Sequence, residues 1–196
     1  WWLKRKEVGG ASNGILDDGP HFFSLARWLM STDEKARNEI EFVFAFVDLK
    51  NERPAAMEWK HQNGAYGNLS FTMSETPWEL VKTNGIYGSE HETDEIIGSK
   101  GIIWATGCEG KMLNTAPVIL YDGEEGKRVL FEDLNDDVGD SFIRAIHHFI
   151  DCIINDWEPR TTGEDGKKAV EVCLAVHKSA REKRAVKVGT AHKLPF

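Results

Sequence analysis

Residues 140–188, DSFIRAIHHFIDCIINDWEPRTTGEDGKKAVEVCLAVHKSAREKRAVKV, read as two helices followed by a short strand. With Val138 just before them, Phe142, Ile146, Phe149, Ile150, Ile153 and Trp157 recur at helical spacing, while Arg144, His148, Asp151 and Asn155 fall on the opposite side. Pro159 closes that helix. The second opens near Gly163-Glu164-Asp165-Gly166, which lacks the preceding strand of a phosphate-binding loop and is read as a helix entrance. Its apolar positions, Ala169, Val172, Cys173, Val176 and Ala180, are expected in the core. Ala185 to Val188 then reads as a strand.

Upstream, the pattern changes. Leu25, Trp28 and Leu29 predict a helix from Asp17 to about Met30, with Asp17 and Asp18 in its first turn. From Ile40 to Leu49 the alternation has period two, with Ile40, Phe42, Phe44 and Phe46 on one face and Glu41, Val43, Ala45 and Val47 on the other. Between Met57 and Phe131, short apolar stretches such as Leu69 to Met73, Gly101 to Ala105 and Pro117 to Tyr121 are punctuated by Gly-x-x-Gly beginning at Gly64, Gly85, Gly98, Gly107 and Gly123. Glycine supplies the positive φ that tight turns need, so these predict hairpins. Helix, strands, two helices, strand, without βαβ alternation, predicts an α+β fold: a large, mostly antiparallel open sheet with helices packed on one face. The other face would be a large apolar patch unless a second subunit or domain covered it.

The 196 residues suffice for one core, so a single domain, 1–196, is expected. With 32 acidic against 24 basic side chains, the formal charge of -8 disfavours nucleic acid as a partner. No stretch approaches the roughly 18 apolar residues of a membrane span, and no signal peptide is evident, so the expectation is a soluble, cytoplasmic protein without a membrane partner. Cys108, Cys152 and Cys173 show no C-x-x-C spacing, and Cys152 and Cys173 are read as core residues.

Chemistry concentrates in Ser12 to His21, SNGILDDGPH. Asp17 and His21 stand four apart, which on a helix places a carboxylate and an imidazole on one face. Histidine titrates near neutrality and can exchange the proton of a hydroxyl group, while a carboxylate binds or orients the same group. Because Leu25 and Trp28 share that stripe, both polar residues are expected to point inward. The plainer reading makes Asp17 a dipole partner and His21 a core histidine. A metal held by the pair lacks further ligands fixed by the sequence, although His61, Glu90 and His91 are available, and no metal site is expected. His147, His148 and His177 are read as solvated. Trp59, His61, Trp78, His91 and Trp104 could line a sugar site or belong to core and interface. Nowhere does Gly-x-Gly-x-x-Gly occur, so no cofactor-binding residue is assigned in this chain.

Three segments, in order, resemble the C-terminal domain of the Gfo/Idh/MocA oxidoreductases, the family of glucose-fructose oxidoreductase and inositol dehydrogenase. SNGILDDGPHFFSLARWL is similar to that family's glycine-rich entry and Asp-x-x-x-His helix, EIIGSKGIIWATG to its mid-sheet strand pair, and residues 140–188 to its closing helices and strand. The resemblance implies an open antiparallel sheet like that of the C-terminal domain of glyceraldehyde-3-phosphate dehydrogenase, preceded in the whole protein by a nucleotide-binding domain that this chain lacks. It also implies NAD or NADP held by that other domain, and hydride transfer to or from a sugar, polyol or related hydroxyl substrate. His21 matches the family's proton-exchanging histidine and Asp17 its substrate-polarising aspartate; Asn13, His91 and Trp104 are the candidate substrate contacts. The departures are Ser12-Asn13-Gly14 in place of two or three glycines, Ser24 in place of an acidic residue, and no counterpart of the family's Lys-Pro motif. The chain alone is therefore expected to be inactive, and a homodimer or homotetramer through the sheet face is expected. The alternatives are a non-catalytic ligand sensor or co-repressor and a free-standing dimerisation module of the same fold.

Overall fold

A computed structural model describes residues 15–31, 37–49, 54–71, 93–106, 116–130 and 138–190. They form α1 (Gly19–Leu29), β1 (Ile40–Val47), β2 (Ala55–His61), β3 (Tyr66–Phe71), β4 (Thr93–Ile97), β5 (Gly101–Thr106), β6 (Val118–Asp122), β7 (Gly126–Leu130), α2 (Val138–Asn155), α3 (Gly163–Glu182) and β8 (Val186–Lys187). Every described strand pairing is antiparallel, so the expected α+β class stands. The strands divide into two four-stranded sheets, ordered β3-β2-β1-β8 and β4-β5-β6-β7. Three of the five Gly-x-x-Gly segments make hairpin turns, β2 to β3, β4 to β5 and β6 to β7. Gly64 and Gly126 adopt the left-handed φ values of 90° and 82° that the turn reading requires. The segments beginning at Gly85 and Gly107 lie outside the described residues.

The chain separates into two compact units, one built from Trp1–Met73 with Glu158–Phe196 and the other from Ser74–Trp157. In the first, α3 packs against β1, and α1 packs on α3. A capping box closes the start of α3: the Asp165 N–H donates to the Thr162 hydroxyl oxygen and the Asp165 carboxylate accepts from the Thr162 N–H. Helix α3 buries Ala169, Val172, Cys173 and Val176, as its pattern predicts, and also Ala175, His177 and Ser179. The solvated reading of His177 is thus corrected, because the wide apolar face of α3 carries position 177 into the core. Ser179 ties the helix to its neighbours, since its hydroxyl accepts from the Ala45 N–H at 3.0 Å and donates to the Arg184 carbonyl at 2.7 Å. Strand β8 pairs β1 only at Phe42 and Val43, so the hydroxyl serves a β1 amide beyond the end of that pairing.

Strand β1 turns the opposite face inward from the more greasy one. Its core residues are Ile40, Val43 and Ala45, whereas Phe42 and Phe46 are exposed. A bulge between Ile40 and Phe42 shifts the alternation, so Ile40 shares the buried face with odd-numbered residues. The inward face lies against α3, whose contact row of Ala169, Cys173 and Val176 accepts small side chains.

In the second unit, α2 ends at Asn155, four residues before Pro159, and is followed by a turn in which Asp156 takes φ 54° and the Trp157 N–H donates to the Cys152 carbonyl at 2.9 Å. Cys152 is buried, as expected. His148 is half-buried rather than solvated, because its ring leans on the Cys152 sulfur 3.6 Å away.

Candidate functional site

The segment Ile15–Asp18 is a turn, and the helix proper starts at Gly19, with Pro20 in its first turn, where a missing N–H costs nothing. Asp17 and Asp18 therefore precede the first helical turn instead of occupying it. The inward face of α1 is the row Gly19, Phe23 and Arg27, continued back to Ile15. A methyl group on Gly19 would come within 3.1 Å of the Cys173 sulfur, so glycine lets α1 lie close on α3. Phe23 stacks edge-on to Trp59 with ring centroids 5.6 Å apart.

The other side of α1 carries the candidate chemistry. His21 is exposed, Asp17 is half-buried, and Trp28 is exposed. The expectation of an inward side chain is corrected for His21: residue 21 lies two positions from both Gly19 and Phe23, about 200° around the helix, and so faces away from the buried row. The stripe through Leu25 and Trp28 is the outer one. This excludes the core-histidine reading of His21.

Arg27 is 2% exposed and holds a polar cluster together. Its Nε and Nη2 donate to both oxygens of Glu39 at 2.9 and 2.7 Å, and its Nη1 donates to the Asp165 carbonyl at 3.0 Å. Nη2 also reaches the Asp165 carboxylate at 3.3 Å. Burial pushes the Asp165 carboxyl up, but the two hydrogen bonds from Thr162 and the charges of Arg27 and Arg37 together hold it below the usual carboxylate range. Sequence patterning alone missed this cluster; the only trace was an arginine recurring in the Ile15-Gly19-Phe23 row.

His61 and Trp59 belong to the core. The Trp59 indole N–H donates to His61 Nε2 at 2.9 Å, which leaves the ring proton on Nδ1 to donate to the Asn38 carbonyl at 3.0 Å. Burial pushes the His61 pKa down, against the raising effect of the Asn38 hydrogen bond. Both ring nitrogens are engaged, so His61 is no ligand for a metal or sugar. Trp104 lies half-buried on β5 in the second unit, and its indole donates to Glu95 at 2.6 Å. Asn13, Trp78, Glu90, His91 and Cys108 lie outside the described residues. Among the described residues no three His, Cys, Asp or Glu side chains converge to hold a metal ion, and no helix is long and apolar enough to cross a membrane.

The sequence pattern described as oxidoreductase family, C-terminal alpha/beta domain, matches residues 1–188. The myo-inositol 2-dehydrogenase of Thermotoga maritima is 30% identical over 189 residues, 90% of this chain and 50% of that protein. A probable dehydrogenase from Thermotoga maritima superposes with a TM-score of 0.63 at 27% identity, covering 90% of this chain and 50% of that one. Levoglucosan dehydrogenase, solved with NADH and L-sorbose, superposes at 0.73 with 17% identity, covering 96% of this chain and 53% of its own. This chain thus spans about half the length of each of these relatives.

Proposed function

The chain belongs to the Gfo/Idh/MocA oxidoreductase family as its C-terminal alpha/beta domain, and from that premise we propose that it is the substrate-holding half of a nicotinamide-dependent dehydrogenase acting on a sugar, polyol or related hydroxyl compound. The observation that carries this is the outward placement of His21 beside the Asp17 turn, on a helix whose other side is locked into the core. The described strands pair only antiparallel, so among the described residues there is no βαβ cradle for a dinucleotide. NAD or NADP belongs on a preceding nucleotide domain, where it supplies the acceptor for the hydride leaving the carbinol carbon. His21 takes the hydroxyl proton as that carbon becomes a carbonyl, and Asp17 accepts a hydrogen bond from the substrate and holds it in place. Names of relatives, a myo-inositol 2-dehydrogenase and an enzyme bound to NADH and L-sorbose, support the hydroxyl-rich substrate class.

Trp104 shares one sheet face with Ile102, Ile119, Tyr121 and Ile97, and that face suits a second copy of the chain better than a sugar. We therefore place a homodimer or homotetramer contact there. Cys152 and Cys173 are thiols and form no disulfide, which suits a reducing cytoplasm.

The test is reduced-nicotinamide absorbance with NAD+ or NADP+ and myo-inositol or levoglucosan, using the full-length protein. His21→Ala is expected to lower kcat by about 100-fold or more with the fold retained. Wild-type kcat in that variant removes His21 from the mechanism. The 196-residue chain alone is expected to give no turnover, and turnover by it would place the cofactor site within this chain.

A further inference from the structure

We propose that Arg27 is the positioning residue for His21, its buried fork to Glu39 and Asp165 fixing the roll of α1; this rests on the role given to His21 above. Helix α1 is only 11 residues long, and Gly19, which lies close to Cys173 of α3, has no side chain of its own to fix the roll. Phe23 supplies one stop against Trp59. The second, one turn further along, is Arg27, whose guanidinium is gripped from two directions: by both oxygens of Glu39, just before β1, and by the carbonyl and carboxylate of Asp165 at the start of α3. Its main chain is held as well, since the Arg27 carbonyl accepts from the Asn38 N–H at 3.1 Å and from the Ser31 hydroxyl at 2.8 Å. A planar fork with paired acceptors has one low-energy orientation, which an ammonium group lacks.

His21 lies on the far side of the helix axis from this grip. A roll of about 10° on a lever of about 5–6 Å carries a side-chain end about 1 Å. A misplacement of about 1 Å at a reacting group costs on the order of 100-fold in rate. Arg27 therefore touches no substrate and acts through where it leaves His21.

The test uses the full-length protein with Arg27→Met, Arg27→Lys and Glu39→Gln, assayed with NAD+ and either myo-inositol or levoglucosan well below the melting temperature of each variant. Turnover is counted per cofactor-binding site, so that loss of folded molecules does not register. Arg27→Met is expected to lower kcat about 100-fold with KM within about threefold, and Arg27→Lys to recover part of the loss. A kcat within about threefold of wild type in both Arg27→Met and Glu39→Gln overturns the proposal. Crystal structures of the same variants give a readout independent of turnover. A roll of α1 by about 10° against an unmoved α3 supports the proposal, and α1 in place to within about 0.3 Å overturns it. Should the wild type turn over neither probe, the function proposed above fails on its own, and the crystallographic comparison still decides whether Arg27 sets the place of residue 21. Should Arg27→Met not fold, Glu39→Gln and Arg27→Lys carry both readouts.

Discussion

Gly67→Ala tests the most tightly specified contact in the first unit. Gly67 on β3 stands opposite Trp59 on β2, and a methyl group there would overlap Cε2 and Cζ2 of the indole and lie 2.5 Å from its Nε1. The indole cannot step aside freely, because it packs in a T-shaped contact with Phe23 and its N–H is committed to His61. An aromatic ring laid over an edge-strand glycine is a stabilising device that the methyl would displace. Overpacking of this kind costs about 1–3 kcal/mol, and a lost hydrogen bond between buried groups adds about 1 kcal/mol. Strand β3 is an edge strand and can retreat, which favours the middle of the sum, about 3 kcal/mol. For a chain of this length that lowers the melting temperature by about 6–12 °C. Urea denaturation followed by circular dichroism gives the free energy, and the Trp59 indole N–H resonance reports whether the His61 bond survives. Gly166→Ala is the control: its added methyl meets nothing within 4 Å on α3, so it should stabilise by about 0.5–1 kcal/mol. A Gly67→Ala protein within about 0.5 kcal/mol of wild type, with the indole resonance unmoved, would refute the reasoning.

Two further outcomes follow from buried polar groups. His61 is held neutral by burial, its pKa below the unfolded value near 6.5, so its contribution is complete above that value and is lost as pH falls toward the folded pKa. Stability should fall on acidification below about pH 6.5 with a slope of at most about 1.4 kcal/mol per pH unit, and His61→Gln should flatten that limb in a pH series of urea melts; an unchanged slope would assign the protons elsewhere. Ser179→Ala removes the hydroxyl that serves Ala45 and Arg184, and should cost about 1–3 kcal/mol; faster exchange of the Ala45 amide by hydrogen–deuterium NMR would locate the loss, and unaltered protection would count against it.

Turn chemistry is local, which is why the hairpins were legible: Gly64 and Gly126 need positive φ whatever surrounds them. The entrance to α3 was legible for the same reason, since the box between Thr162 and Asp165 closes within four residues. The inward face of β1 was not. Both of its faces are apolar, and the choice between them depends on a partner more than a hundred residues away: α3 accepts Val43 and Ala45, and the Glu41 bulge decides where Ile40 goes.

The orientation of α1 failed to show for a related reason, and that failure bears on the site. An apolar-stripe reading follows Leu25 and Trp28 and passes over a row containing a glycine and an arginine. Yet Gly19 is inside because α3 comes close, and Arg27 is inside because Glu39 and Asp165 offset its charge. Arginine ranks as an outer residue and glycine adds no apolar side chain to a stripe, so only the tertiary partners reveal this row as the inner one. Once that row is inside, His21 must be outside, so the residue type that suggested proton chemistry and the geometry that leaves it reachable have separate origins. Asp17 and His21 stand out in the sequence as a candidate pair by residue type and spacing; the row on the opposite side of the helix is held inside by an ion pair with residues 39 and 165, which no pattern local to α1 announces.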